Sequence, residues 1–342
     1  MMTFHKQITV VSLFVFANTY LNAQNLASST GINEGINVVN EVPKNEEVLQ
    51  NEVKKKNVII PRVAPSKTFD LSQWSLSVPS DKDGNGRADQ IKEVQLNAGY
   101  SSEYFYLDED GGMVFKSPIG GFKTSQNTSY TRSELREMLR AGDKTIKTKG
   151  PNKNNWVLQS SNSMFDAGGY DGQLKATLKV DHVTTTGKEN QVGRVIIGQI
   201  HAQHNEPLRI YYRKLPNNTK GSIYFAHEGR DNNQEDYYEL IGSKSSKAND
   251  PKDGIALGEK FSYQVLVYGN NLGVKIIKED KSIFEKTIDI RKSGYAAKDE
   301  YMYFKAGVYN QNKTGDADDY AQATFYELSN KHKQYVEPTY DE

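Results

Sequence analysis

Alternation restricts this chain more than any other feature. In three distant stretches, ionisable or amide side chains take every second position and apolar ones fill the gaps. Along Tyr303-Phe304-Lys305-Ala306-Gly307-Val308-Tyr309-Asn310-Gln311, an extended backbone puts Tyr303, Lys305, Tyr309 and Gln311 on one face, with Phe304, Ala306 and Val308 on the other. Along Val195-Ile196-Ile197-Gly198-Gln199-Ile200-His201, Gln199 and His201 fall together, while Ile196 and Ile200 are expected to point away. In Arg132-Ser133-Glu134-Leu135-Arg136, two guanidiniums line up around a carboxylate. A period of two is the mark of a half-buried strand. If the three strands share a sheet, its polar face collects Arg, Gln, His, Lys and Tyr. Such a set suits an anionic substrate that must gain and lose protons.

The rest of the chain reads the same way. Short alternating runs at 113–116, 156–159, 173–183, 209–213, 222–226, 237–241, 262–268, 273–278 and 323–328 are bounded by Gly, Asn, Asp and Pro. Gly269-Asn270-Asn271-Leu272 makes a good hairpin turn between two of them. Twenty-one Tyr and 13 Phe supply apolar bulk with polar tips, as half-buried strands use. The expected fold is all-β, a two-sheet sandwich or jelly roll. One segment stays ambiguous: Leu135, Met138 and Leu139 also fit a helix over 132–140.

Residues 1–23 read as a secretory signal peptide, with Lys6 in a cationic start, an apolar run from Ile8 to Phe16 and Ala23 before the cut. Residues 24–65, rich in Asn, Glu, Val and Lys, show no sustained period and read as a disordered linker; the folded domain is expected over 66–342. The chain has 0 Cys, so an exported protein of this kind would rely on its core rather than on disulfides. A secreted or periplasmic location and a monomer are expected. The 43 Lys and Arg balance 43 Asp and Glu. No global charge therefore steers the chain to nucleic acid or membrane, and affinity for a polyanion must come from a local patch.

Several chemistries can be weighed. Asp81, Asp83, Asn85 and Asp89 alternate with Gly as in calcium loops, but Lys92 stands where the closing Glu belongs. The plainer reading is an Asx-rich turn; if calcium binds, its role would be structural. His201 and His204 lack the further ligands that a zinc centre needs. There is no Gly-x-Ser-x-Gly elbow, and no strand carries the paired carboxylates of a glycosidase. Glu134, flanked by Arg132 and Arg136, should have a lowered pKa and organise those arginines rather than act as a general acid.

Taken in order, Arg132-Ser133-Glu134-Leu135-Arg136, Gln199-Ile200-His201 and the stretch from Tyr303 to Gln311 resemble the three signature motifs of the alginate lyases of polysaccharide lyase family 7. The region around 74–79 also resembles that family's first strand, and the resemblance runs from about Pro65 to the C-terminus. It implies a β-jelly roll with a concave groove for alginate, and 132–136 as a strand. It also implies β-elimination with no cofactor required. Arg132 and Gln199 would neutralise the uronate carboxylate, His201 would be the base on guluronate, and Tyr309 would protonate the leaving oxygen. Cations such as Lys305 or Arg136 would help the phenol ionise, and an optimum near or above the ordinary histidine pKa of ~6.5 is expected. Glu134, Arg136, Lys305 and Gln311 would bind and organise the groove. Ile200 is associated in the family with guluronate-containing blocks. Loops 120–130, 243–253 and 311–319 are lid candidates. Rival readings are a silent polyuronate-binding module, a lyase for another polyuronate such as glucuronan, and a glycoside hydrolase.

Overall fold

The computed structural model describes residues 62–231 and 234–336. The expected signal peptide and almost all of the expected linker lie outside them. At the linker's end, Val63 bridges Leu107 and Ala64 is buried, so packing begins just ahead of residue 66.

Among the described residues, seventeen strands form two layers. The front layer runs β2 (Asp89–Ile91), β1 (Trp74–Val78), β5 (Arg132–Glu137), β16 (Met302–Asn310), β8 (Arg194–Ala202), β9 (Leu208–Arg213), β10 (Lys220–Glu228), β11 (Glu235–Ile241). The back layer runs β3 (Phe105–Leu107), β4 (Met113–Pro118), β17 (Tyr320–Lys333), β7 (Gly169–His182), β13 (Lys260–Tyr268), β14 (Asn271–Lys278), β15 (Ile283–Asp289). Two short strands, β6 (Trp156–Val157) and β12 (Ile255–Ala256), complete the set. Neighbours within each layer are antiparallel, and the order interleaves early and late strands, as in a jelly roll. The ambiguous segment is strand, because Leu135 must reach the core while Arg132, Glu134 and Arg136 face the other way.

The alternating apolar residues meet between the layers. Phe115 and Phe325 pack edge-on at 5.1 Å, Trp156 lies 5.0 Å from Phe304, and Leu76, Leu135, Phe304, Ala306 and Val308 belong to the same buried cluster. From the back layer Tyr263 donates its hydroxyl to the Ile197 carbonyl at 3.2 Å. A Cβ on Gly198 would stand 2.8 Å from that hydroxyl, so any larger residue would force the ring or the strand to shift. Gly307 has φ +136, and a Cβ there would meet the Ser133 carbonyl at 2.7 Å.

One facing differs from simple alternation. Pairing of β8 with β9 slips between Ile196 and Gly198, which places Ile197 in the interlayer core. Ile196 consequently sits on the front face with Tyr211, Tyr224 and Ala226, against Tyr309, instead of pointing away. Ile200 is in the core as expected.

Candidate active site

The central strand of the site is β16, hydrogen-bonded to β5 on one side and to β8 on the other. Lys305 is opposite Arg136 and Gln199, Tyr309 is opposite Arg132, and Tyr303 is opposite His201. The three polar stripes therefore become one surface, because the pairing puts their strands side by side.

Its hub is Glu134, only 1% exposed. It accepts hydrogen bonds from Arg132 Nη1 at 2.9 Å, from Lys305 Nζ and from Gln199 Nε2. Burial alone would raise this carboxyl; Lys305 and Arg132 outweigh it and hold it below the usual range. Glu134 is thus an anionic organiser, though its partners are one arginine, one lysine and one amide rather than two arginines. Each partner keeps donors to spare, since guanidinium, ammonium and amide all have N–H groups beyond the one given to Glu134. Burial and the nearby Arg132 push Lys305 down to about 8 against the pull of Glu134.

Tyr309 lies under the Arg132 guanidinium, 3.7 Å from ring centroid to Cζ, and Tyr130 packs edge-on against it at 6.1 Å. Burial raises the Tyr309 phenol despite Arg132, so it stays protonated at neutral pH. The expected help from Lys305 or Arg136 does not prevail; the cation that matters is Arg132, and desolvation exceeds its effect.

His201 stacks on Tyr303 with ring centroids 5.1 Å apart and planes 10° from parallel. Its Nδ1 is 2.6 Å from the Ala202 carbonyl oxygen, which can only accept, so Nδ1 carries the hydrogen. The basic lone pair is therefore on Nε2. Burial drives the imidazole down and Glu206 opposes it, but Lys305 and Arg132 add to the push, to about 4. The neutral form thus persists well below the expected 6.5.

Two anticipated groove residues are placed differently. Arg136 donates to the Thr148 carbonyl at 2.8 Å and covers Tyr303 at 4.1 Å, so it braces a loop and an aromatic ring rather than Glu134. Gln311 lies past the end of β16, 5% exposed, with its amide on the Asn310 carbonyl at 3.4 Å. Farther along the groove, Tyr211, Tyr224 and Tyr237 form an aromatic platform, whose only signal along the chain is the alternation in 209–213 and 222–226. Glu206, 3.4 Å from His201 Nε2, comes from the β8–β9 loop, where no periodicity could reveal it. Each of the three lid candidates reaches a groove aromatic. Tyr130 contacts Tyr309, Lys313 lies 5.6 Å from Tyr130, and Lys244 lies 4.4 Å from Tyr237.

Away from the groove, carboxylate oxygens of Asp81, Asp83 and Asp89 lie within 4.8 Å of one another. Asp81 accepts the Asn85 and Gly86 amides at 2.9 Å, and Asp89 takes the Ser80 hydroxyl at 2.7 Å. The turn is closed by its own Asx hydrogen bonds, with Asn85 capping Arg87 N at 2.9 Å.

Comparisons with known proteins agree with this surface. A family model described as alginate lyase matches residues 69–332. An alginate lyase of Klebsiella pneumoniae is 58% identical over 280 residues, covering 79% of this chain and 91% of its own length. The crystal structure of the alginate lyase from Klebsiella pneumoniae superposes with a TM-score of 0.77 at 57% identity, over 79% of this chain and 98% of that one. A Pseudomonas aeruginosa alginate lyase matches at TM-score 0.57 and 30% identity, over 78% and 100%. A family 7 alginate lyase carrying His-to-Asn and Tyr-to-Phe substitutions, in complex with a substrate written GGMG, matches at 0.57 and 25%, over 81% and 100%. With its front-face motifs and interleaved sheets, the chain belongs to polysaccharide lyase family 7 and is an alginate lyase.

Proposed function

We propose that this alginate lyase cleaves 4-linked uronate chains by β-elimination without a metal, favours guluronate-containing blocks and releases unsaturated oligosaccharides. The observation that carries the reading is the Glu134 hub, which holds Arg132, Lys305 and Gln199 on the wall that also bears His201 and Tyr309.

The C5 proton of a uronate is poorly acidic because the neighbouring carboxylate is already negative. Arg132 and Gln199 neutralise that carboxylate and meet the charge that builds as the enolate forms, at about 2.7–4 kcal/mol of barrier per donor. Lys305 adds a third positive or polar contact and makes a bound cation unnecessary. In guluronate the C5 hydrogen and O4 leave from opposite ring faces, so base and acid must be separate groups. His201 Nε2 takes the proton, and Tyr309, a neutral phenol, gives its own to O4 as the C4–O4 bond breaks. In mannuronate the two leave from one face, and Tyr309 serves both roles. The relative solved with substrate had its histidine and tyrosine both replaced, in keeping with these assignments. Ile200 is buried in the interlayer core, so its link to guluronate acts through the backbone that carries Gln199 and His201.

Elimination leaves a C4–C5 double bond conjugated with the carboxylate, which absorbs in the ultraviolet. Polyguluronate, polymannuronate and glucuronan, each incubated with chelator present, should rank in that order of ultraviolet gain. Tyr309→Phe should abolish the gain on all of them, and His201→Ala on polyguluronate, each with an unchanged thermal melt. Full activity in either variant, or loss of activity on chelation, would overturn the assignment.

A further inference from the structure

His201 presents a puzzle that the reaction alone does not resolve. A carboxylate beside a catalytic imidazole ordinarily binds the nitrogen opposite the reacting one and fixes the tautomer. Here that place is taken by the Ala202 carbonyl, 2.6 Å from Nδ1. The carboxylate of Glu206 instead lies 3.4 Å from Nε2, the nitrogen that must meet the substrate. Two acceptors cannot attract each other, so this contact is favourable only when Nε2 carries a proton. It therefore belongs to the state reached just after C5 is deprotonated.

Building on the assignment of His201 as base, we infer that Glu206 is a positioning residue that receives the abstracted proton from His201 Nε2 and passes it to solvent. First the C5–H bond breaks, its electron pair enters the enolate, and an Nε2–H bond forms. The C4–O4 bond then breaks as O4 takes the Tyr309 proton. Next the Nε2–H bond breaks, the proton moves to a Glu206 carboxylate oxygen and then to water, while Tyr309 regains a proton from solvent. Glu206 is placed for this: it lies 3.4 Å from Nε2 and its side chain is 27% exposed, so a carboxylate oxygen can meet both the base and water. Arg209 Nη1 lies 3.9 Å from the other carboxylate oxygen, while its Nη2 pairs more closely with Glu228 and Glu235.

The charges around the imidazole make such an outlet useful. From β16 come Lys305 and the stacked Tyr303, from β5 comes Arg132, and beyond Glu206 stands Arg209. Glu206 is the carboxylate among them that counters the imidazolium. Without it, the newly charged ring would face Lys305 and Arg132 alone, and reaching it would cost more.

The test is steady-state kinetics of the full chain on polyguluronate, followed by ultraviolet absorbance over a range of pH. Glu206→Gln should lower kcat about tenfold, less than the roughly hundredfold or greater cost of losing a base outright. KM should stay within roughly twofold, because the ground-state contact with substrate is untouched. With the countercharge gone, the acid limb of kcat/KM should move to lower pH. Glu206→Asp, which keeps the charge on a shorter arm, should restore much of kcat and leave the limb near its parental position. Should the Gln variant melt early, the Asp variant decides alone, by a slowed kcat with an unmoved limb. An unchanged kcat with an unmoved limb, or a loss borne mainly by KM, would overturn the relay. His201→Ala separates the two levels: activity surviving in it removes the base assignment, whereas a dead His201→Ala beside a full-speed Glu206→Gln removes only the relay.

Discussion

Glu134 is a buried carboxylate held below the usual range, and the arrangement around it depends on its staying charged. Three donors share its two oxygens, and each is thereby aimed with an N–H left over for substrate. The same crowding bears on the working pH of the proposed reaction: as its base His201 would have to stay neutral, and it is pushed down to about 4, while Lys305 would have to stay charged, and it is pushed down to about 8. Protonation of the base lowers activity as pH falls through the first value, and loss of the ammonium lowers it as pH rises through the second. A plot of kcat/KM for polyguluronate should therefore be flat between these limits, and Lys305→Arg should push the alkaline limb upward. An alkaline limb unmoved in that variant would assign it to another group. Alternation showed that Lys305 and Glu134 share a face. It could not show their protonation, which depends on how much water the neighbouring strands exclude.

At the level of elements, β8 carries both a regular and an irregular half. From Gln199 to His201 it alternates, so those side chains were legible from spacing alone. Just before, the slip at Ile197 turns Ile196 onto the front face, where it packs with Tyr211 and Tyr309. A bulge depends on how two partner strands pair, and nothing in Val195-Ile196-Ile197-Gly198 announces it except the glycine. Gly198 is where this element meets the back layer, with Tyr263 above it. Gly198→Ala should force that ring or the strand to shift. The expected cost is about 1–3 kcal/mol in a denaturant melt, with a fall in kcat because Gln199 and His201 ride on the same backbone. A variant as stable and as active as the parent would show that the contact yields freely.

Across the whole molecule, the layers are joined by polar as well as apolar contacts. Glu137, at the end of β5 in the front layer, accepts His332 Nε2 at 2.8 Å and Asn330 Nδ2 at 2.6 Å from β17 in the back layer. Its second oxygen takes the Phe304 amide of β16 at 3.0 Å. Both side chains of the ion pair are almost fully buried, at 0% and 3% exposure. Burial alone would depress the His332 imidazole, but Glu137 raises it above its ordinary value. A raised pKa means that this stabilisation is full below the unfolded value near 6.5 and fades as pH rises through the folded one. Removing one partner leaves a buried charge unpaired. His332→Ala and Glu137→Ala should each cost about 3–5 kcal/mol in chemical denaturation, and the double variant less than their sum. Additive losses would mean that the two act independently.

The amino-acid sequence determined which side chains could share a face, because strand geometry is local and turns successive residues to opposite sides wherever no bulge intervenes. It also supplied the order of the three motifs, and with it the family. The three-dimensional fold alone decided that Glu134 would hold Lys305 and Gln199 while Arg136 turned to a loop. It alone brought Glu206 to His201 and set how strongly each proton is held. Those outcomes arise from strands far apart in the chain closing on one another, where burial and neighbouring charge act across space and leave no mark on spacing along the backbone.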